Sequence, residues 1–204
     1  MAVNYTIEAA IVDITADTPK EDDVFLVDTN VWYWMTYPNA TSFVPSPLSD
    51  YPGYLNLALG VNSKIHHTGL SLAELSHIIE KTEREIFERS RSPSVKPKEF
   101  RHNFANERSR IVSEIQASWG QVTSLAAPLD ITIDADTTNA ALGRLQTEKV
   151  DGYDLFILEA MKNNGVVQII TDDGDFATVS GIQVFTANRN VITAARNQGK
   201  LLSR

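Results

Sequence analysis

Val24-Phe25-Leu26-Val27-Asp28-Thr29-Asn30 sets four apolar residues directly against an aspartate. Apolar residues in unbroken series, with no polar alternation, read as a short strand buried on both faces, and Asp-Thr-Asn stops it. The same grammar returns at Val166-Val167-Gln168-Ile169-Ile170, stopped by Thr171-Asp172-Asp173-Gly174-Asp175. A third strand follows at Gly181-Ile182-Gln183-Val184-Phe185-Thr186. Strands of this kind, separated by helical patterns, predict right-handed crossovers and a parallel sheet of the α/β class.

The connecting segments support that reading. Residues 5–14 alternate weakly and suggest an edge strand, and Lys64 to Thr68 suggests another short strand. Val31 to Tyr37 reads as an aromatic helix, and Leu55 to Val61 as a short one. Ser71 to about Arg89 places Leu72, Leu75, Ile78, Ile79 and Phe87 roughly on one face at helical spacing. Arg91 to Pro97 breaks the pattern, which resumes from Phe100 to Trp119. A strand is expected after Pro128, over Leu129-Asp130-Ile131-Thr132-Ile133, then helices over Asp136 to Gln146 and Asp154 to Lys162. Asn163-Asn164-Gly165 resembles a helix C-cap. Four of the eight prolines fall between Pro38 and Pro52, which reads as a loop.

With 204 residues, 43% of them hydrophobic and 22% charged, the chain can bury a substantial core. It has no cysteine, so disulfides, thiolate metal sites and a cysteine nucleophile are excluded. Eighteen Lys+Arg against 26 Asp+Glu give a net charge of −8, which argues against a broadly basic nucleic-acid or membrane-surface protein. No apolar run approaches a membrane span, and the first residues lack a basic and apolar leader. A cytoplasmic protein with no membrane partner is the expectation.

The informative feature is where the acids sit. Asp28 follows one apolar strand, and Asp172, Asp173 and Asp175 follow another. Ligands of an open parallel sheet bind outside the carboxyl ends of its strands. Carboxylates gathered there repel one another unless a cation neutralises them, and Mg²⁺ or Mn²⁺ prefer such oxygen ligands. Each acid also has a structural reading. Asp28 can cap the helix near Val31. Ser71-Leu72-Ala73-Glu74 fits a capping box, and Asp151 or Asp154 can open the helix that follows. One or two of the acids after Ile170 can be turn residues. The residues alone leave both readings open.

Four ordered motifs resemble those of the PIN-domain ribonuclease family. They are Val24 to Val31, Gly69-Leu70-Ser71-Leu72-Ala73-Glu74-Leu75, Asp154-Leu155-Phe156-Ile157-Leu158-Glu159-Ala160, and Ile169-Ile170-Thr171-Asp172-Asp173-Gly174-Asp175-Phe176. The last is close to the family's Thr-x-Asp-x-Asp-Phe pattern. Similarity covers roughly 24–37, 64–82 and 129–188. The resemblance implies a three-layer α/β/α fold with a central parallel sheet, and metal-dependent endonucleolytic cleavage of RNA. It implies a catalytic quartet of Asp28, Glu74, Asp154 and Asp173. Mg²⁺ or Mn²⁺ would be held by Asp28, Asp154, Asp173 and the auxiliary Asp175, with Thr29 or Asn30 as hydrogen-bonding neighbours. Glu74 and Asp173 would orient waters, one of which, deprotonated, attacks the phosphorus in line and leaves 5′-phosphate and 3′-hydroxyl ends.

The chain is similar to toxins of the VapC type but longer. It divides into an N-terminal extension, 1–23, and a single PIN-like domain, 24–204, with a proline-rich loop at about 38–54 and a charged helical insertion at about 83–120. Residues 81–110 hold nine of the 18 basic residues and five acids, a local net of +4. Arg89, Arg91, Lys96 and Lys98 are the candidate phosphate contacts, set against a solvated helix face with pairs such as Glu80–Arg84 and Glu85–Arg89. Trp32, Tyr33, Trp34 and Tyr37 read as packing rather than base stacking, His66 and His67 as loop or packing residues, and Trp119 as insertion core. The expected partner is RNA, single-stranded by preference. The resemblance adds an antitoxin-like protein inhibitor and, since the family commonly dimerises, a homodimer.

Two other classes stand beside the nuclease. One is a non-catalytic RNA-binding or scaffold module on the same fold, expected if the acidic set were broken. The other is a haloacid-dehalogenase-type phosphatase, which needs Asp-x-Asp where this chain has Asp28-Thr29-Asn30.

Overall fold

The computed structural model describes residues 3–40, 50–90 and 94–204. Its strands are β1 (Ala10–Asp13), β2 (Val24–Val27), β3 (Lys64–Thr68), β4 (Ala127–Leu129), β5 (Gln168–Ile170), β6 (Gln183–Thr186) and β7 (Leu201–Leu202). They form one seven-stranded sheet in the order β4-β3-β2-β5-β6-β1-β7, and every pairing is parallel. The helices are α1 (Thr29–Thr36), α2 (Asp50–Gly60), α3 (Gly69–Ser90), α4 (Pro97–Asn103), α5 (Ala105–Leu125), α6 (Ala135–Arg144), α7 (Asp154–Asn163) and α8 (Arg189–Asn197). A 3-10 turn spans Gly174–Thr178.

Successive residues of each strand feed opposite layers, as the pleat requires. Val12, Phe25, Val27, Ile65, Ile170 and Phe185 face a core shared with α1, α2, α3 and α5. Ile11, Leu26, Ile169 and Val184 face the other, shared with α6, α7 and α8. Both faces are covered, which is why the strands carry apolar runs rather than alternation. The three-layer arrangement around a parallel sheet is the one expected.

Several expected boundaries move for identifiable reasons. The weakly alternating N-terminal stretch enters the sheet only at Ala10–Asp13 and lies inside it, with β7 beyond it as the edge. The strand expected at 129–133 forms at Ala127–Leu129 instead. Helix α2 begins at Asp50, within the expected proline-rich loop, because Pro52 falls in its first turn where no helical N–H is needed. Residues 41–49 of that loop lie outside the described residues. The C-cap at Asn164 is as expected. Gly165 has φ +67°, Val166 N–H donates to Met161 O at 2.9 Å, and Gly165 N–H donates to Lys162 O at 3.2 Å. This is the paired bonding of a Schellman ending.

The expected charged insertion builds a small core of its own from Phe87, Val95, Phe100 and Ile111, with Phe104 and Ile115 against it. Trp119 instead joins the main core, edge-on to His67 at 4.9 Å between ring centroids. Trp32 and Tyr37 are buried, and Trp34 packs near Tyr51, so the α1 aromatics serve packing as expected. Among the described residues no helix is long and apolar enough to cross a membrane.

Phe25 is fully buried, with Phe185 at 4.8 Å and Tyr54 at 6.1 Å between ring centroids. Phe25→Ala is expected to cost ~3–5 kcal/mol in chemical denaturation, while the exposed Leu142→Ala stays within about 0.5 kcal/mol.

Candidate active site

From β2 the sheet continues through β3 to β4 on one side and through β5 to β6 on the other. The strand order therefore reverses between β2 and β5, and a crevice opens beyond their carboxyl ends. Val27 is in register with Ile170, and the ladder's next hydrogen bond runs from Asp28 N–H to Ile170 O at 3.0 Å. Asp28 and Thr171 thus stand side by side at the mouth of the crevice.

Asp28 is buried and serves as the N-cap of α1. Its Oδ1 accepts from Thr29 N–H at 2.6 Å, and its Oδ2 accepts from Thr171 Oγ1 at 2.5 Å. Thr171 Oγ1 also accepts from Asp173 N–H at 2.9 Å and from Asn30 Nδ2 at 3.4 Å. Thr29 sends its hydroxyl the other way, donating to Glu74 Oε2 at 2.6 Å. Glu74 lies in the second turn of α3, and Asp154 is the first residue of α7.

Of the two readings left open for Glu74, the capping box at Ser71–Glu74 does not form. Thr68 caps α3 instead. Its Oγ1 accepts from Ser71 N–H at 3.3 Å, and Ser71 Oγ accepts from Thr68 N–H at 3.3 Å. This is a capping box one turn earlier, with serine in the reciprocal position, and it leaves Glu74 to the crevice.

The crevice carboxylates act on one another through their charges. Burial pushes the Asp154 carboxyl up to about 9, and the charges of Asp28, Glu74, Asp173 and Asp151 add to the rise. Burial likewise pushes Asp28 up to about 7, with the Thr171 hydrogen bond opposing and Glu74 and Asp173 reinforcing. Glu74 is raised by burial first, against its bond from Thr29 and with Asp151 and Asp173 nearby. Asp28, Glu74, Asp154 and Asp173 therefore share one electrostatic field, and Asp151 belongs to its rim.

The three acids after Thr171 separate by role. Asp172 turns aside to accept from Tyr51 OH at 2.6 Å. Asp173 caps the 3-10 turn, its Oδ1 accepting from Asp175 N–H at 2.8 Å. Asp175 is half-buried on that turn, its carboxyl raised by burial and then by Asp173 and Asp151.

Among the described residues no group of three or more His, Asp or Glu is close enough to hold a metal ion as it stands. The chemistry of the set nonetheless suits a hard divalent cation, since it is all oxygen and mutually repelling. Among the described residues Asn30 Oδ1 is buried without a hydrogen-bond partner beside this group, which adds an unused oxygen acceptor.

The basic residues are not gathered here. Arg89 lies fifteen residues beyond Glu74 along α3, roughly 22 Å at helical rise. Lys96 and Lys98 lie at the start of α4, which folds back along α3, with Val95 O accepting from Arg84 at 3.2 Å and Arg101 paired with Glu80. Arg91 lies outside the described residues. Several neighbouring arginines are held in ion pairs: Arg84 with Glu88, Arg101 and Arg108 with Glu80, and Arg110 with Glu83 and Glu107. The expected pair Glu80–Arg84 is replaced by Arg84–Glu88, because Glu80 turns to α4 and α5. His66 and His67 sit on β3, away from ligand spacing with the acids.

The sequence gives no role to Tyr51 or to the Thr171 hydroxyl, and gives Asp151 only the opening of a helix. Thr171 carried a signal all the same, as the first polar residue after an apolar strand and before the acids.

No protein-family model matches the chain, and no curated protein matches it in sequence. Among solved structures, its fold is similar to one titled the crystal structure of VapBC2 from Rickettsia felis bound to a DNA fragment from their promoter. That match has 14% identity and a TM-score of 0.48, covering 80% of this chain and 98% of the other. A structure of FitAB bound to IR36 DNA fragment matches at 16% identity and a TM-score of 0.39, covering 81% and 96%. The likeness is one of fold.

Because Asp28 and Asp154 hold protons more tightly when folded than unfolded, they favour the folded state at low pH. That contribution is complete below about pH 4 and is lost as pH rises through about 7 for Asp28 and about 9 for Asp154. In EDTA, stability is expected to fall between about pH 5 and 9, and Asp154→Asn to flatten that fall and add ~1–3 kcal/mol at about pH 8. Thermal unfolding of both proteins across that range checks it. Parallel pH profiles for the two would contradict it.

Proposed function

We propose that the protein is a divalent-metal-dependent endoribonuclease. The observation that carries this reading is the shared field of Asp28, Glu74, Asp154 and Asp173 beyond the ends of β2 and β5. Neighbouring charges that push up the carboxyls of buried Asp28 and half-buried Asp154 are costly in a purely structural role, and a cation removes the cost.

In this reading Asp28, Asp154, Asp173 and the auxiliary Asp175 hold Mg²⁺ or Mn²⁺. When bound, the cation supplies a Lewis acid for the phosphate and lowers the pKa of water. The chain's own residues do the rest. Thr29 N–H and Thr171 Oγ1 fix both oxygens of Asp28, so its carboxylate does not rotate. Thr29 Oγ1 fixes Glu74, which orients the attacking water and receives its proton. Asn30 offers its unpartnered amide oxygen to a water or a ribose hydroxyl. Arg89, Arg91, Lys96 and Lys98 are remote phosphate contacts for a long RNA, and a protein inhibitor of the antitoxin kind is the partner that the resemblance implies.

The test is cleavage of an end-labelled single-stranded RNA. Wild type with Mg²⁺ or Mn²⁺ is expected to leave 5′-phosphate and 3′-hydroxyl ends, and EDTA to abolish the reaction. Asp28→Asn and Asp154→Asn should each lower the rate by at least ~10²-fold, and Thr171→Val by roughly 10–100-fold. Cleavage that survives both EDTA and Asp28→Asn would overturn the mechanism. RNA binding without any cleavage would favour the non-catalytic module.

A further inference from the structure

A cavity of about 250 Å³ opens between the N-terminal segment and the 3-10 turn, with Asn4, Tyr5, Glu8, Thr147, Lys149 and Asp175 in its walls. It adjoins the acidic crevice through Asp175, whose N–H donates to Asp173 Oδ1. Tyr5 packs directly on Gly174, between those two acids. A Cβ at that glycine would lie 2.4 Å from the tyrosine ring, so the close approach needs glycine there. The Tyr5 hydroxyl keeps its proton, held first by burial and then by the charges of Asp175, Asp173 and Asp172.

Hydrogen bonds fix both walls. Gln198 donates to Tyr5 O at 2.9 Å and accepts from Ile7 N–H at 3.0 Å, while Glu8 N–H donates to Ala177 O at 2.9 Å. Opposite, Lys149 N–H donates to Thr178 Oγ1 at 3.0 Å, and Thr178 Oγ1 donates to Asp175 O at 2.8 Å. A site whose walls are fixed beforehand loses little entropy on binding.

We propose that this cavity is a nucleobase subsite, receiving the base beside the scissile phosphate, with Tyr5 as its stacking face. The inference rests on the nuclease reading and names a part of its substrate recognition. Glu8 and Asp175 outnumber Lys149 in the walls, which disfavours a bare phosphate, and Glu8 favours a neutral ligand with donors, such as the exocyclic amino group of cytosine, adenine or guanine. Uracil has no such group. An aromatic ring gives the stacking that single-stranded RNA offers at every base. Lys149, in the same walls, would take the neighbouring backbone phosphate.

The test titrates the full-length protein, in EDTA so that nothing turns over, with cytidine, adenosine, uridine and inorganic phosphate, following binding by NMR. Cytidine and adenosine are expected to bind better than uridine, and phosphate alone not to bind. Tyr5→Leu should weaken cytidine roughly tenfold and Tyr5→Phe should retain most of the affinity. In cleavage, Tyr5→Leu and Lys149→Ala should raise KM for an oligonucleotide more than they lower kcat. Nucleoside binding that is absent, or untouched by Tyr5→Leu, overturns the subsite. Cleavage with an unchanged KM in both variants also overturns it and leaves the nuclease standing. Base binding that depends on Tyr5, without cleavage, keeps the base site and removes the nuclease.

Discussion

A carboxylate buried where a parallel sheet reverses its strand order constrains everything around it. Asp28 has to find hydrogen-bond donors without leaving the end of β2, and it finds them in Thr29 N–H and Thr171 Oγ1. The second bond crosses from β2 to β5. It joins the two halves of the sheet at the point where they diverge, and the same hydroxyl receives Asp173 N–H. One threonine thereby sets the separation of two acids that approach from different strands. Glu74 is added by Thr29 and Asp154 by the start of α7, so the crevice gathers charge faster than hydrogen bonds compensate it. Packing on both faces, from Phe25 and Phe185 on one side and Leu26 and Ile169 on the other, holds the strand ends against that repulsion.

This balance explains why so many residues near the site serve two purposes. Asp28 is at once helix cap and crevice acid, and Asp173 is at once cap of the 3-10 turn and crevice acid. Asp172 shows the alternative outcome. It directly precedes Asp173, an acid of the group, yet Tyr51 draws it toward α2. Negative charge is thus sorted residue by residue, and the overall −8 says little about where it acts. The positive charge is sorted too. Much of the basic arm is spent on Glu80 and Glu83, buried acids that fasten α3 to α4 and α5.

What could be read from the sequence follows from the range of the interactions concerned. The runs at 24–27, 166–170 and 181–186 announce strands covered on both faces, and the acids that follow the first two mark the crevice end. Gly165 announces the end of α7 because its local geometry needs a left-handed residue. The place of β1 between β6 and β7 depends on pairing across more than 170 residues, for which no local pattern exists. The capping of α3 fell to Thr68 rather than Ser71, since either hydroxyl precedes an apolar run and only the strand's end decides between them. Tyr5 against Gly174 is a contact between distant segments and leaves no sequence trace at all.

The central claim is that the four-carboxylate crevice exists to be neutralised by a divalent cation. Calorimetric titration of the full-length protein with Mn²⁺ at about pH 7, in two buffers of different ionisation enthalpy, tests it most directly. Binding is expected to release between about one and two protons, because Asp28 and Asp154 must give theirs up, and to weaken at least ~10-fold in Asp28→Asn and in Asp154→Asn. Absence of Mn²⁺ binding, or binding indifferent to both substitutions, would contradict it.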